Sequence, residues 1–273
     1  MTYCHNINPM TRGQPPGEMA MNDPHVAELI YWLDKADSLE FRDPPPVGLD
    51  TPEFSGRLEN GELRLIPKNH YSTELEARSV TDHFVERWEI ATGLSLKNDA
   101  FKFSFRRSHI IDRSPSPGLH IYDSLSLTDS ATLSIKVIRT SYPAAPPLTF
   151  NRTERVKVLW ERYKLFLNKN EPLLSMAYSC LTFLEWGQGE HSGGREPAAL
   201  FFGIDLAVLK KIGEISSDRG DPLTARKFNK KIIPLASEEE TWIREAIPAI
   251  IRHIASDDPG KSQLLMSDLP KPP

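Results

Sequence analysis

One stretch limits what this chain can fold into more than any other: Glu171-Pro-Leu-Leu-Ser-Met-Ala-Tyr-Ser-Cys-Leu-Thr-Phe-Leu-Glu-Trp186, closed by Gly187. Read as a helix, it carries apolar side chains on every side, from Leu173 and Leu174 round to Leu184 and Trp186. Only Ser175, Ser179 and Thr182 interrupt them. Such a helix is buried on most sides or lies in a membrane. This one is short for a bilayer and is flanked by Glu171 and Glu185, so it reads as the centre of a helical bundle.

Its neighbours supply faces for it to cover. Val156, Leu159, Trp160, Tyr163 and Leu167 line one side of a helix starting near Thr153. Ser237-Glu-Glu-Glu240 matches a capping box and opens a helix with Trp242, Ile243, Ala246, Ile247, Ile250 and Ile254 on one side. Pro248 falls inside that pattern and is expected to kink it. These elements predict an all-α domain over residues 151–257. The tail at 258–273, with Leu264-Leu265-Met266 and Leu269-Pro270, is apolar enough to dock on the body.

The first half reads differently. Residues 1–22 show no period and are expected to be disordered. Asp23 and Pro24 look like an N-cap and first helical position. Val26, Leu29, Ile30 and Leu33 follow at helical spacing, so a helix is predicted to end before Pro44-Pro45-Pro46. Asn60-Gly61 between alternating apolar residues predicts a hairpin, because both turn positions need φ > 0. Thr73-Glu-Leu-Glu76 predicts a capped helix with Ala77, Val80, Phe84, Trp88 and Ala91 on one stripe, stopped at Gly93. Phe101–Phe105 leading into Ile110-Ile111 reads as strand. Leu125–Leu127 and Leu133–Val137 read as a second hairpin. Helices interleaved with hairpins predict an α+β domain with an antiparallel sheet over residues 23–145, ended by the stiff Tyr142-Pro-Ala-Ala-Pro-Pro147.

Composition narrows the function classes. The 273 residues are 39% hydrophobic and 26% charged, as in a soluble globular protein. A net charge of −4 gives no bulk attraction to nucleic acid or acidic membranes. No apolar run reaches spanning length and residues 1–22 lack a secretory core, so a cytoplasmic protein is expected. Cys4 is placed in the polar terminus and Cys180 in the apolar helix as a small hydrophobe, with no disulfide between them.

Chemical motifs are scarce. The eight histidines stand at no helical ligand spacing, and no Cys-x-x-Cys or His-Glu-x-x-His occurs, so no metal is expected. His109 near Asp112 lacks a third, orienting group and reads as a surface histidine. Neither Lys102 nor Lys136, on the best strands, has a carboxylate two residues before it, which disfavours metal-dependent nucleases. No phosphate loop is present; Gly187–Gly194 reads as a connector, and no cofactor is expected. Trp88, Trp160, Tyr163, Tyr178, Trp186 and Trp242 fall on apolar stripes and are assigned to the core.

The sharpest local pattern spans residues 198–213. Ala199, Gly203 and Leu209 are spaced like the small residue, turn glycine and core aliphatic of a helix-turn-helix. On that reading Leu206–Gly213 is a recognition helix. Lys210, Lys211, Arg219, Arg226, Lys227, Lys230 and Lys231 are the candidate nucleic-acid contacts. Asp205 and Glu214 on the same side would repel phosphate, and two tightly crossing bundle helices give the same pattern.

Glu171–Tyr178, the Gly220-Asp221 to Ala225-Arg226-Lys227 segment and Met266–Pro270 resemble parts of a bacterial family of uncharacterised activity. The resemblance implies a bacterial source and carries no ligand or site. The sequence therefore predicts a non-enzymatic cytoplasmic interaction or structural protein with a protein partner and no membrane. A DNA-binding regulator is the second reading, and an enzyme whose residues meet only in three dimensions is the third.

Overall fold

The computed structural model describes residues 23–34, 38–114, 137–186, 193–220, 233–256 and 263–271. The expected disorder of residues 1–22 and most of the second predicted hairpin lie outside them, as do most of the glycine-rich connector and Cys4. The architecture is α+β: a five-stranded antiparallel sheet in the first half and a group of helices in the second.

Pro24–Leu33 forms strand β1 and not the predicted helix. Its apolar spacing suits both elements, and the sheet decides between them. β1 pairs with strands at both edges; Leu29 and Tyr31 face the core opposite Leu65 and Leu63, and Ile30 is buried on the other face opposite Arg64. Pro24 is tolerated at the first position of a strand. Leu39–Phe41 (β2) is also strand, within the same span. Val47–Asp50 (β3), Phe54–Glu59 (β4), Glu62–Pro67 (β5) and Phe103–Asp112 (β6) complete the sheet in the order β3-β4-β5-β1-β6. The predicted hairpin joins β4 to β5, with Asn60 at φ 52° and Gly61 at φ 77°. Val137–Arg139 (β7) pairs in parallel with β2.

Helix α1, Glu74–Leu96, starts as predicted. Thr73 Oγ1 accepts from Glu76 N–H, and the Glu76 carboxylate accepts from Thr73 N–H. It does not stop at Gly93 but runs on to a left-handed Lys97 at φ 54°. Packing explains the glycine: a Cβ there would overlap the Trp160 indole. Ala77, Phe84 and Trp88 of α1 belong to the core under the sheet. Ile90 and Leu94 belong to the core of the helical half. Around this seam Arg252 donates to the Leu94 carbonyl at 3.2 Å and Asn168 to Asp99 at 2.8 Å, and Lys97 pairs with Glu245.

In the second half α2 spans Glu154–Leu167 with Thr153 as its side-chain cap, and α3 spans Leu173–Trp186. Arg195–Phe202 (α4), Leu206–Asp218 (α5) and Ser237–Ile254 (α6) follow. α3 touches α2, α4, α5 and α6, the central place its sequence predicts. Two of its aromatic residues depart from expectation: Trp186 is 70% exposed and Tyr178 is only half-buried. Trp88, Trp160, Tyr163 and Trp242 are buried as assigned. The cap of α6 also differs. Its N-cap is Ala236, one residue early, and only half the box forms, with Glu239 accepting from Ala236 N–H. α6 continues through Pro248, and its predicted apolar stripe is buried. The tail docks as expected: Leu264 bridges to Ile204 and Leu269 is buried.

Two substitutions test this packing. Gly93→Ala, which in an open helix adds about 1 kcal/mol of stability, is expected to lower it by about 1–3 kcal/mol through overpacking on Trp160. A rise in the urea midpoint would refute that contact. Leu181→Ala, at a side chain 2% exposed, is expected to cost about 2–5 kcal/mol in the same titration.

Candidate functional site

An open cleft of about 900 Å³ lies on the first half. Three separate pieces of chain build it: the end of β1 with β2, the β4–β5 hairpin, and Tyr142 from the proline-rich segment. The hairpin's left-handed turn aims Gly61 N–H at the Tyr142 hydroxyl oxygen, 2.7 Å away, which ties the two walls together. Tyr142 also lies 5.0 Å from Phe41, ring to ring. Burial raises the Tyr142 phenol pKa, so the hydroxyl stays neutral at ordinary pH.

Strand register sets the rest of the surface. Trp32 on β1 stands opposite Glu62 on β5, which stands opposite Glu59 on β4. Direct partners share one face of a sheet, so a ring and two carboxylates form one row across three strands. The next row places Ile30, Arg64 and Arg57 side by side. Like charges thus face each other across the ladder, and opposite charges meet along each strand. Arg57 holds Glu59 at 3.0 Å, and Arg64 pairs with Glu62. Trp32 is 41% exposed, and the Arg106 guanidinium lies 4.8 Å from its ring centroid. Asp34 accepts from the Ser104 hydroxyl at 2.6 Å. Neither Asp34 nor Asp43 has a cationic partner among the described residues.

The predicted helix-turn-helix segment is a true helical corner. α4 ends at Gly203, left-handed at φ 61°, and α5 starts at Asp205, whose side chain accepts from Ala207 N–H. Ile204, Leu209 and Ile212 are buried. The tail closes the turn: Leu264 N–H donates to the Gly203 carbonyl, and Asp205 N–H donates to the Leu264 carbonyl, each at 2.9 Å. Of the candidate contacts, Lys210 is exposed. Lys211 lies 3.6 Å from Glu214, and Arg219 is held by Glu239 at 3.0 Å. Arg226, Lys227, Lys230 and Lys231 lie outside the described residues; of the described candidates the corner brings together Lys210 and Lys211.

Other titratable groups are structural in their contacts. Asp112 accepts from the backbone of Asp23 and Ser114, not from His109. Cys180 is fully enclosed, and burial pushes its thiol up to about 12. His25 stacks on His70 with ring centroids 5.2 Å apart. Burial, Arg113 and His70 all lower its pKa. Among the described residues no group of His, Cys, Asp and Glu is arranged to hold a metal ion. No helix among them is long and apolar enough to cross a membrane. Comparison of the chain with family models, with curated proteins and with solved structures gives no match.

Of the cleft, sequence reasoning found only the Asn60-Gly61 turn. Glu59 and Glu62 flank that turn, so their adjacency was within reach once the hairpin register was drawn. Trp32 is concealed by the helical spacing of β1, and Tyr142 by its place in a proline-rich stretch.

One carboxyl stands apart. Glu89 on α1 accepts from Phe103 N–H at 2.7 Å, and burial pushes its pKa up to about 7 against that bond. Glu86 and Asp34 push it in the same direction. Its folded pKa is above the ordinary 4.5, so the fold favours the protonated form. Glu89 therefore costs nothing below pH 4.5 and weakens the fold as pH rises to about 7. Glu89→Gln is expected to match the wild type at pH 4 and to be more stable by about 2–3 kcal/mol at pH 8. Chemical denaturation at the two pH values checks it, and an equal difference at both would refute it.

Proposed function

We propose that this is a non-enzymatic interaction protein of the cytoplasm that works by holding a ligand in the cleft between β2 and the β4–β5 hairpin. The observation that carries the reading is the cleft itself. Its volume lies in the range of small-ligand sites, and it combines ring faces with a few charged groups. Its described lining supports binding over catalysis. It holds no histidine, serine or cysteine, the Tyr142 hydroxyl is engaged by Gly61, and Glu59 and Glu62 are each paired with an arginine. A general acid needs a carboxyl kept protonated by an apolar enclosure. The test is a thermal-shift survey with cationic, neutral and anionic compounds, run on the wild type and on Trp32→Ala. Compounds of at least one class are expected to raise the wild-type melting temperature and to lose most of that effect in the variant. No cleft-dependent shift with any class would overturn the reading.

The second reading, a DNA-binding regulator, is favoured by one observation: α4, Gly203 and α5 have the helix-turn-helix form, with Lys210 exposed on α5. Lys211, Arg219 and the cations between Arg226 and Lys231 would supply further phosphate contacts on this reading. It predicts duplex retention that falls steeply between about 50 and about 200 mM salt. Lys210→Ala with Lys211→Ala would reduce the slope of log affinity against log salt by about 1–2. No retention at low salt, or an unchanged slope, would end it.

A further inference from the structure

We propose that the ligand of this cleft is an extended organic cation, its ammonium or guanidinium groups spaced along a flexible chain. This rests on the binding reading above and adds the chemistry of what is bound.

The charge of the walls comes first. Five carboxylates line the cleft (Asp34, Glu40, Asp43, Glu59 and Glu62) against the two guanidiniums of Arg57 and Arg64. That is a formal excess of three negative charges. Arg42, 3.6 Å from Glu40, and Arg106, beside the Trp32 ring, reduce that excess to one. An anionic ligand would have to enter against this field, and a cationic one is drawn in.

Register then supplies specific geometry. Complementary charges facing each other across β4 and β5 would stabilise the hairpin, and like charges directly opposite weaken it. This hairpin instead sets Glu59 against Glu62 beside the turn. With Trp32 opposite Glu62, the row offers a ring and two carboxylates on strands spaced about 4.8 Å apart. A cation lying over the ring can donate to the carboxylates beside it. Asp34, just past the end of β1, adds a further carboxylate to the lining. The Arg106 guanidinium lies 4.8 Å from the ring centroid, so a ligand cation has to share the ring with Arg106 or displace it. The carboxylates do not converge on a single ion position. Several cationic groups in sequence match that spread better than one metal ion.

Two sources carry this chemistry: a free polyamine, and the Arg or Lys side chains of a basic segment of another protein. Isothermal titration of the full chain with spermidine in one arm and with acetyl-triarginine amide in the other separates them. The expected result is binding of one equivalent in at least one arm, weakened about tenfold or more by Trp32→Ala and by Glu59→Gln with Glu62→Gln, and weakened again at high salt. These side chains are partly exposed, so the variants are expected to keep the wild-type melting temperature, which is measured alongside. Spermidine alone binding identifies the polyamine source, and the peptide alone binding identifies the protein segment. Equal affinity in wild type and variants, or no heat in either arm at millimolar ligand, overturns the proposal. Should the thermal-shift survey then find cleft-dependent neutral or anionic ligands, the binding reading survives without it. With no ligand of any class, both fall.

Discussion

Everything in this molecule hangs on one helix being covered from two directions. The first turns of α1 place Ala77, Phe84 and Trp88 under the sheet, and its last turns place Ile90 and Leu94 in the helical core. The join works because Gly93 has no side chain, so the Trp160 ring of α2 rests directly on helix backbone. Polar bonds follow that contact: Arg252 reaches the Leu94 carbonyl, Lys97 meets Glu245, and Arg152 meets Glu86. Each is partly exposed and of modest value alone. The indole on the glycine fixes where they can form.

The same helix shows what a sequence can and cannot reveal. Thr73 and Glu76 announce its start because a capping box is a local matter, settled within four residues. Asn60 and Gly61 announce their turn for the same reason, and so does the apolar girth of α3. The end of α1 was misread because Gly93 answers to a tryptophan far along the chain. β1 looks helical in sequence because its central place in the sheet buries consecutive apolar residues, whose spacing also fits a helical face. Ser237 offered a plausible cap, but the Glu239 carboxylate reaches Ala236 N–H and the helix starts one residue sooner. Errors gather where a distant partner overrides a local preference.

The candidate cleft belongs to that non-local class. Its walls come from β1, β2, a hairpin and Tyr142, and the 2.7 Å bond from Gly61 to that tyrosine joins chain segments distant in sequence. What the sheet adds is alignment. Period-two alternation sends Trp32, Glu62 and Glu59 to one face, and antiparallel register brings them level. Changing the register by one residue would send each to the opposite face. The surface chemistry thus follows from the same pairing that builds the core beneath it.

The docked tail has a bearing on synthesis. The turn between α4 and α5 leaves the Gly203 carbonyl and the Asp205 N–H without partners in either helix, and Leu264 supplies both. Those two groups stay hydrated until residue 264 has left the ribosome. A chain that folds from its N-terminal end as it emerges will have the sheet and α1 in place well before this corner can close. Closure of the α4–α5 corner is therefore a late folding event, a small backbone clasp that waits for Leu264.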